Sequence, residues 1–179
     1  MRRMTTLVLA TLFVAAPLAA QTAQNGERKL LSPPATAEGT IAGNTIVIHY
    51  SAPSMRGRKI MGGLVPFEKI WRTGANAATT LITQADLRIG DLEVPRGTYT
   101  IYTIPREDEW TLIINRQTGQ WGTQYDEAQD LGRTPMKVSA IDPAVELFRM
   151  EIEPVAGKRG VLKLIWETTE VSVPIVVLD

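Results

Sequence analysis

Gly97-Thr98-Tyr99-Thr100-Ile101-Tyr102-Thr103-Ile104, followed across Pro105-Arg106-Glu107-Asp108 by Glu109-Trp110-Thr111-Leu112-Ile113-Ile114-Asn115, decides the fold. Both arms are rich in β-branched and aromatic residues, which suit a pleated, half-buried surface. The linker is polar and carries a proline, so the pair predicts a β-hairpin. Alternate strand residues share a face, which puts Trp110, Leu112 and Ile114 on the core side of the second arm.

The same period-2 pattern extends outward in short segments separated by Gly, Pro, Asn and Asp. Upstream, Thr45 to Tyr50 is a β-branched strand with Ile46, Ile48 and Tyr50 on one face, ended by Pro53 or forced by it to an edge. Strands follow from about Thr79 to Gln84 and through Leu87 and Ile89, and Gly90-Asp91 turns the chain into Leu92-Glu93-Val94. Downstream, Glu146 to Glu153 alternates cleanly with Phe148, Met150 and Ile152 inward. Val161 to Trp166 and Val171 to Val177 read as two strands around Glu167 to Glu170, with Pro174 placing the last one near an edge or bulge. Helical turns are expected only around Phe67 to Arg72 and around Tyr125 to Asp130, where Asp126 and Glu127 suit a first turn. This is an all-β domain, expected as an antiparallel two-sheet sandwich or jelly roll, with a closed barrel as the alternative.

The ends and the composition set the context. Arg2 and Arg3, the apolar run Met4 to Ala16 and the small residues Leu18-Ala19-Ala20 read as a signal peptide over residues 1–20. Residues 21–36 are polar, carry Pro33-Pro34 and read as a flexible leader, and residues 37–179 form a single β-rich domain. The product is expected to be exported, periplasmic or extracellular, with no membrane anchor after cleavage. The chain has no cysteine, which excludes disulfides, thiolate nucleophiles and cysteine-ligated metals. The core must therefore do the stabilising, and about 160 residues suffice to bury close to 70% of the unfolded surface. With 19 basic and 19 acidic residues there is no basic excess to favour nucleic acid or an anionic membrane surface.

Several phrases together resemble the bacterial domain-of-unknown-function family 2911. They are Tyr50-Ser51-Ala52-Pro53, Arg56-Gly57-Arg58, Trp71-Arg72-Thr73-Gly74-Ala75-Asn76 followed by Thr79-Thr80, Pro95-Arg96-Gly97-Thr98-Tyr99, Glu109-Trp110, Trp121-Gly122 and Tyr125-Asp126. The likeness runs from about Ser32 to Val177. It implies an exported bacterial β-rich domain and implies no activity.

Chemistry concentrates in the Trp71 to Asn76 loop. Arg72 is a permanently charged planar fork suited to carboxylate or phosphate, Asn76 donates and accepts, and Trp71 offers a stacking face. The competing structural reading pairs Arg72 with an internal acid such as Glu151 and leaves Gly74 and Asn76 as turn formers. Arg56 and Arg58 flank Gly57 in a basic loop that reads first as a solvated charge run. Trp121 and Tyr125 lie in a second aromatic and polar loop. His49 is the sole histidine, so any imidazole chemistry rests on it, and one histidine without cysteine gives no transition-metal site. Glu151 and Glu153 share a strand face about 6.6 Å apart, a spacing compatible with paired carboxylates and equally with an ordinary outer sheet face.

These observations favour a small-ligand or glycan binding module that uses the Trp71 to Asn76 loop, with Arg56, Arg58, His49, Trp121 and Tyr125 as further candidates. No metal, cofactor or catalytic residue is assigned. A cell-envelope hydrolase using His49 or a carboxylate, and a structural or protein-interaction domain pairing through an open sheet edge, are the alternatives.

Overall fold

The computed structural model describes residues 31–179, so the predicted signal peptide and most of the predicted leader lie outside the described residues. Nine strands make up the domain: β1 (Pro34–Ile41), β2 (Asn44–Ser51), β3 (Thr79–Thr83), β4 (Leu87–Ile89), β5 (Leu92–Val94), β6 (Gly97–Ile104), β7 (Glu109–Asn115), β8 (Asp130–Ala156) and β9 (Arg159–Val177). A single 3₁₀ turn, Glu127–Gln129, interrupts them, with Asp126 capping it by accepting from the Ala128 N–H at 3.0 Å. The fold is all-β, and the decisive hairpin is present, with Ile101 opposite Ile114 and Thr103 opposite Leu112.

The strands form one continuous antiparallel sheet in the order β1-β2-β3-β6-β7-β8-β9-β4-β5, where two separate sheets were expected. The cause is the length of β8 and β9, which run for 27 and 19 residues. β8 pairs with β7 as far as Lys137 and with β9 from Lys137 onward. β9 leaves β8 after Ser172 and pairs with β4 from Ile175. Pro174 falls in that gap, where no ladder bond is asked of its nitrogen. The predicted break at Glu167 to Glu170 is therefore a distortion inside one strand.

The sheet curls around one core. Ile46 and Ile48 of β2, Leu81 of β3, Ile101 of β6, Leu112 and Ile114 of β7, Phe148 and Met150 of β8 and Leu164 of β9 are all buried in it. β1 closes down on the far side. A Cβ on Gly39 would lie 2.5 Å from the Ile152 side chain, so only glycine lets the two backbones approach this closely. Tyr50 spans the same gap, its hydroxyl accepting from the Met150 N–H at 3.1 Å.

Three further sequence expectations change. β1 begins at Pro34, so residues 34–36 are strand rather than leader. β8 starts sixteen residues before the predicted Glu146, at Asp130, because β7 supplies a pairing edge there. Phe67 to Arg72 is not helical: the Glu68 N–H goes to the Pro105 carbonyl, and Trp71 exchanges both backbone bonds with Thr103 at 2.8 and 3.0 Å. A neighbouring strand end took the donors that a helical turn would have used internally.

Candidate functional site

The ladder between β8 and β9 is broken in the middle, with register shifts on either side of Val145, and slips once more beside the hairpin between Pro154 and Ala156. The segment from Pro53 to Met61 is pinned into that break. The Met55 N–H reaches the Glu146 carbonyl at 2.9 Å, and the Phe148 N–H reaches Pro53 at 2.9 Å. The Arg56 N–H is taken by the Glu146 carboxylate at 2.9 Å, and both oxygens of Glu167 accept, at 3.1 Å, from the N–H groups of Ile60 and Met61. Glu167 itself has φ of 55° and Arg56 has φ of 52°, left-handed values that cost a side-chain-bearing residue about 1–2 kcal/mol each. Irregular strand pairing and backbone strain of this kind gather where a protein builds a site.

A cavity of about 250 Å³ opens at the break. Its floor is aromatic: Trp71 and Trp166 stack with centroids 5.9 Å apart and planes 17° from parallel. Trp110 and Phe148 meet Trp71 edge-on, at 6.0 and 5.1 Å, and hold it from behind. The Trp166 indole N–H is satisfied by the Glu146 carbonyl at 3.1 Å. Leu31, Pro53, Leu64 and Val65 supply apolar wall, and Arg56, Arg58 and Arg72 supply charge.

The three arginines are held differently. Arg58 donates to the Met55 carbonyl at 2.9 Å and the Ser54 carbonyl at 2.7 Å, and Arg56 donates to Leu31 at 2.8 Å, so backbone oxygens fix both heads. Arg72 is fixed by its stem. A Cβ on Gly122 would sit 2.5 Å from Arg72 Cδ and 3.1 Å from its Cβ, so the side chain runs in the slot that this glycine leaves. Its Nε is buried and has no hydrogen-bond partner. An unmet buried donor costs about 1–3 kcal/mol, more when charged. Among the described residues no carboxylate lies within ion-pair distance of any of the three.

The expected partner of Arg72, Glu151, is taken by Arg149 at 3.1 Å, because neighbours on one strand face reach it first. Glu153 pairs with Lys163 at 2.7 Å, and that ammonium holds the Glu153 carboxyl below its usual value. A general acid needs the opposite shift. Neither glutamate lines the cavity.

The structure thus brings Trp71, Arg72, Arg56 and Arg58 together and leaves four sequence candidates elsewhere. Asn76, with φ of 60°, is a turn former, its carbonyl accepting from the Gly122 N–H at 3.0 Å. His49 is exposed on the outer face of β2, its Nδ1 3.1 Å from the Thr36 hydroxyl. Trp121 is 54% exposed, outside the cavity, and its neighbour Gly122 is the residue that matters to Arg72. Tyr125 packs edge-on against Tyr102 at 4.9 Å and donates to Asp130 at 2.7 Å. Burial first, then the Asp130 hydrogen bond and charge, push its phenol up to about 12. The residue that sequence reasoning missed is Trp166, which carried only the signal of a buried strand position. Among the described residues no three of His, Cys, Asp or Glu are grouped to hold a metal ion.

The family model described as "Protein of unknown function (DUF2911)" matches residues 32–175, and the chain belongs to that family. No curated protein and no solved structure matches it.

Proposed function

We propose that this domain is an exported small-ligand binding module whose site is the cavity at the break between β8 and β9. The carrying observation is the cavity itself: a stacked indole floor, apolar walls and fixed cations, assembled at a place where the sheet departs from regular pairing. Mostly apolar concave sites with a few placed polar groups are the usual form of small-molecule sites. At about 250 Å³ it falls just under the roughly 300–1,000 Å³ that drug-sized ligands occupy, so the ligand is small.

The lining holds no imidazole, carboxylate or thiol. That supports binding over acid–base or nucleophilic catalysis, which needs such a group within reach of the reacting atoms. A ligand screen by thermal shift on the full chain tests the reading, with Leu64→Trp as the blocked variant. Leu64 is half-exposed at the cavity wall, so the larger ring fills the space without disturbing the core. Hits on the native protein should vanish in Leu64→Trp. Hits that survive there unchanged place the site elsewhere.

A further inference from the structure

We infer that the cavity takes a small organic anion, with its carboxylate, phosphate or sulfate held by Arg72 and an apolar or aromatic body lying against Trp71 and Trp166. This rests on the binding-module reading above and narrows it. The polar side chains of the lining are Arg56, Arg58, Arg72 and the hydroxyls of Ser32 and Ser54, with no Asp, Glu, Asn or Gln among them. A neutral sugar must both donate and accept, and its hydroxyl protons would meet few acceptors here. An oxyanion only accepts, and donors are what the cavity offers in excess. Arg58 gives its Nε–H and one Nη–H to carbonyls and Arg56 gives one Nη–H, which leaves most of the five N–H groups of each unspent.

Arg72 anchors the anion. Its stem is threaded under Gly122, its Nε is buried without a partner among the described residues, and none of the described carboxylates neutralises its charge. A guanidinium prepared in this way binds an oxyanion with two parallel charge-assisted bonds at little ordering cost. The cavity leaves room for a ring or short chain beside the stacked, largely buried indoles, where Leu64 and Val65 close the side. Trp71 and Trp166 also make occupancy visible, because a ligand in the cavity they line alters indole fluorescence.

The full chain is titrated with benzoate, phenyl phosphate, benzamide and inorganic phosphate, read by tryptophan fluorescence and calorimetry. Benzoate or phenyl phosphate should bind at least about tenfold more tightly than neutral benzamide, the ratio that one charge-assisted bond supplies. Which of the two binds tighter identifies the source of the anion as a carboxylate or a phosphate ester. Arg72→Met keeps the stem beneath Gly122 and removes the fork, and should cut anion affinity by about tenfold or more while leaving benzamide unchanged. Arg72→Lys should recover only part of the loss, since it restores charge without the planar donor pair. Equal binding of benzoate and benzamide, indifferent to Arg72→Met, overturns the anion and leaves the binding cavity standing. Inorganic phosphate binding as tightly as phenyl phosphate overturns the apolar body. A native protein that responds to none of these, and to no member of the wider screen, overturns both readings together.

Discussion

Arg72 and Arg133 lie beside the two aromatic loops of the chain, in segments of similar composition, and their surroundings are opposite. Arg133 donates to Asp130 at 2.9 and 3.1 Å, to Glu127 at 2.6 Å and to the Tyr125 hydroxyl at 2.9 Å. Asp130 in turn accepts from Asn115 at 2.8 Å and Tyr125 at 2.7 Å. Every charge in that loop is answered within the chain, and the loop lies as a cover on the outer face of β6 and β7. The exceptions are the neutral amide oxygens of Gln117 and Gln120, buried without partners. Arg72 is answered by no carboxylate among the described residues, and its Nε by no acceptor. A loop rich in aromatics and charge is therefore a site only where its charges are left unmet, and composition does not distinguish the two cases.

The comparison breaks first at Trp71. Trp71→Ala removes the cavity floor and a member of the aromatic cluster, and should cost about 3–5 kcal/mol in chemical denaturation. A loss below about 1 kcal/mol would mean the indole is a ligand platform rather than core. The sharper contrast comes from paired truncations. Arg133→Met takes the countercharge from the nearly buried Asp130 carboxylate, whose side chain is 11% exposed and keeps only the neutral donors Asn115 and Tyr125, and should cost about 1.5–3 kcal/mol. Arg72→Met discards an unpaired donor and should leave ligand-free stability within about 0.5 kcal/mol of native or raise it. Equal losses in the two variants would erase the distinction between a stapled loop and an open one.

Gly122→Ala tests the slot that holds Arg72. The new methyl would meet both Arg72 Cδ at 2.5 Å and the Asn76 carbonyl oxygen at 2.7 Å, so about 1–3 kcal/mol should be lost. Adding Arg72→Ala should restore part of it, since the backbone oxygen remains. Among the variants expected to lose stability, the smallest loss lies at Tyr125. Its folded phenol titrates at about 12 against about 10 unfolded, so the folded chain holds the proton more tightly. That contribution is intact below about pH 10 and is lost as pH rises toward about 12. Tyr125→Phe should cost about 0.5–1.5 kcal/mol at neutral pH and flatten the alkaline decline, read by denaturation at stepped pH.

Much of the fold was legible. The hairpin of β6 and β7, the strand β2 and the short β4 and β5 declare themselves by alternation and turn residues, which are local properties. The strand β1 is not legible in the sequence, which places only the start of the domain at residue 37, because its inward positions are Ala37, Gly39 and Ile41, two of them too small to register as apolar pattern. The first part of β8 carries Gly132 and Pro135 and takes its strand form from β7. The single sheet follows from two strands that change partners, and no window of sequence contains that fact. At the site, Trp71 and Arg72 stood out by residue type. Arg56 and Arg58 read as a solvated run because the Leu31 carbonyl and the Glu146 carboxylate that fix Arg56 come from distant segments, while Arg58 is held by the nearby Ser54 and Met55 carbonyls, which leave no mark in residue type. Trp166 joined only through stacking.

The cavity is walled by residues between Leu31 and Ala75 and by Trp166 of β9, and Trp71 is in turn backed by Trp110 of β7 and Phe148 of β8, so the cavity closes only when segments far apart in the chain are packed together. Occupancy is consequently linked to global unfolding rather than to the opening of any one loop. A ligand present at a hundred times its dissociation constant would deepen the native well by about 2.7 kcal/mol. Slowed amide exchange would then reach strands that never touch it, and a protease would find fewer open chains to cut anywhere along the fold.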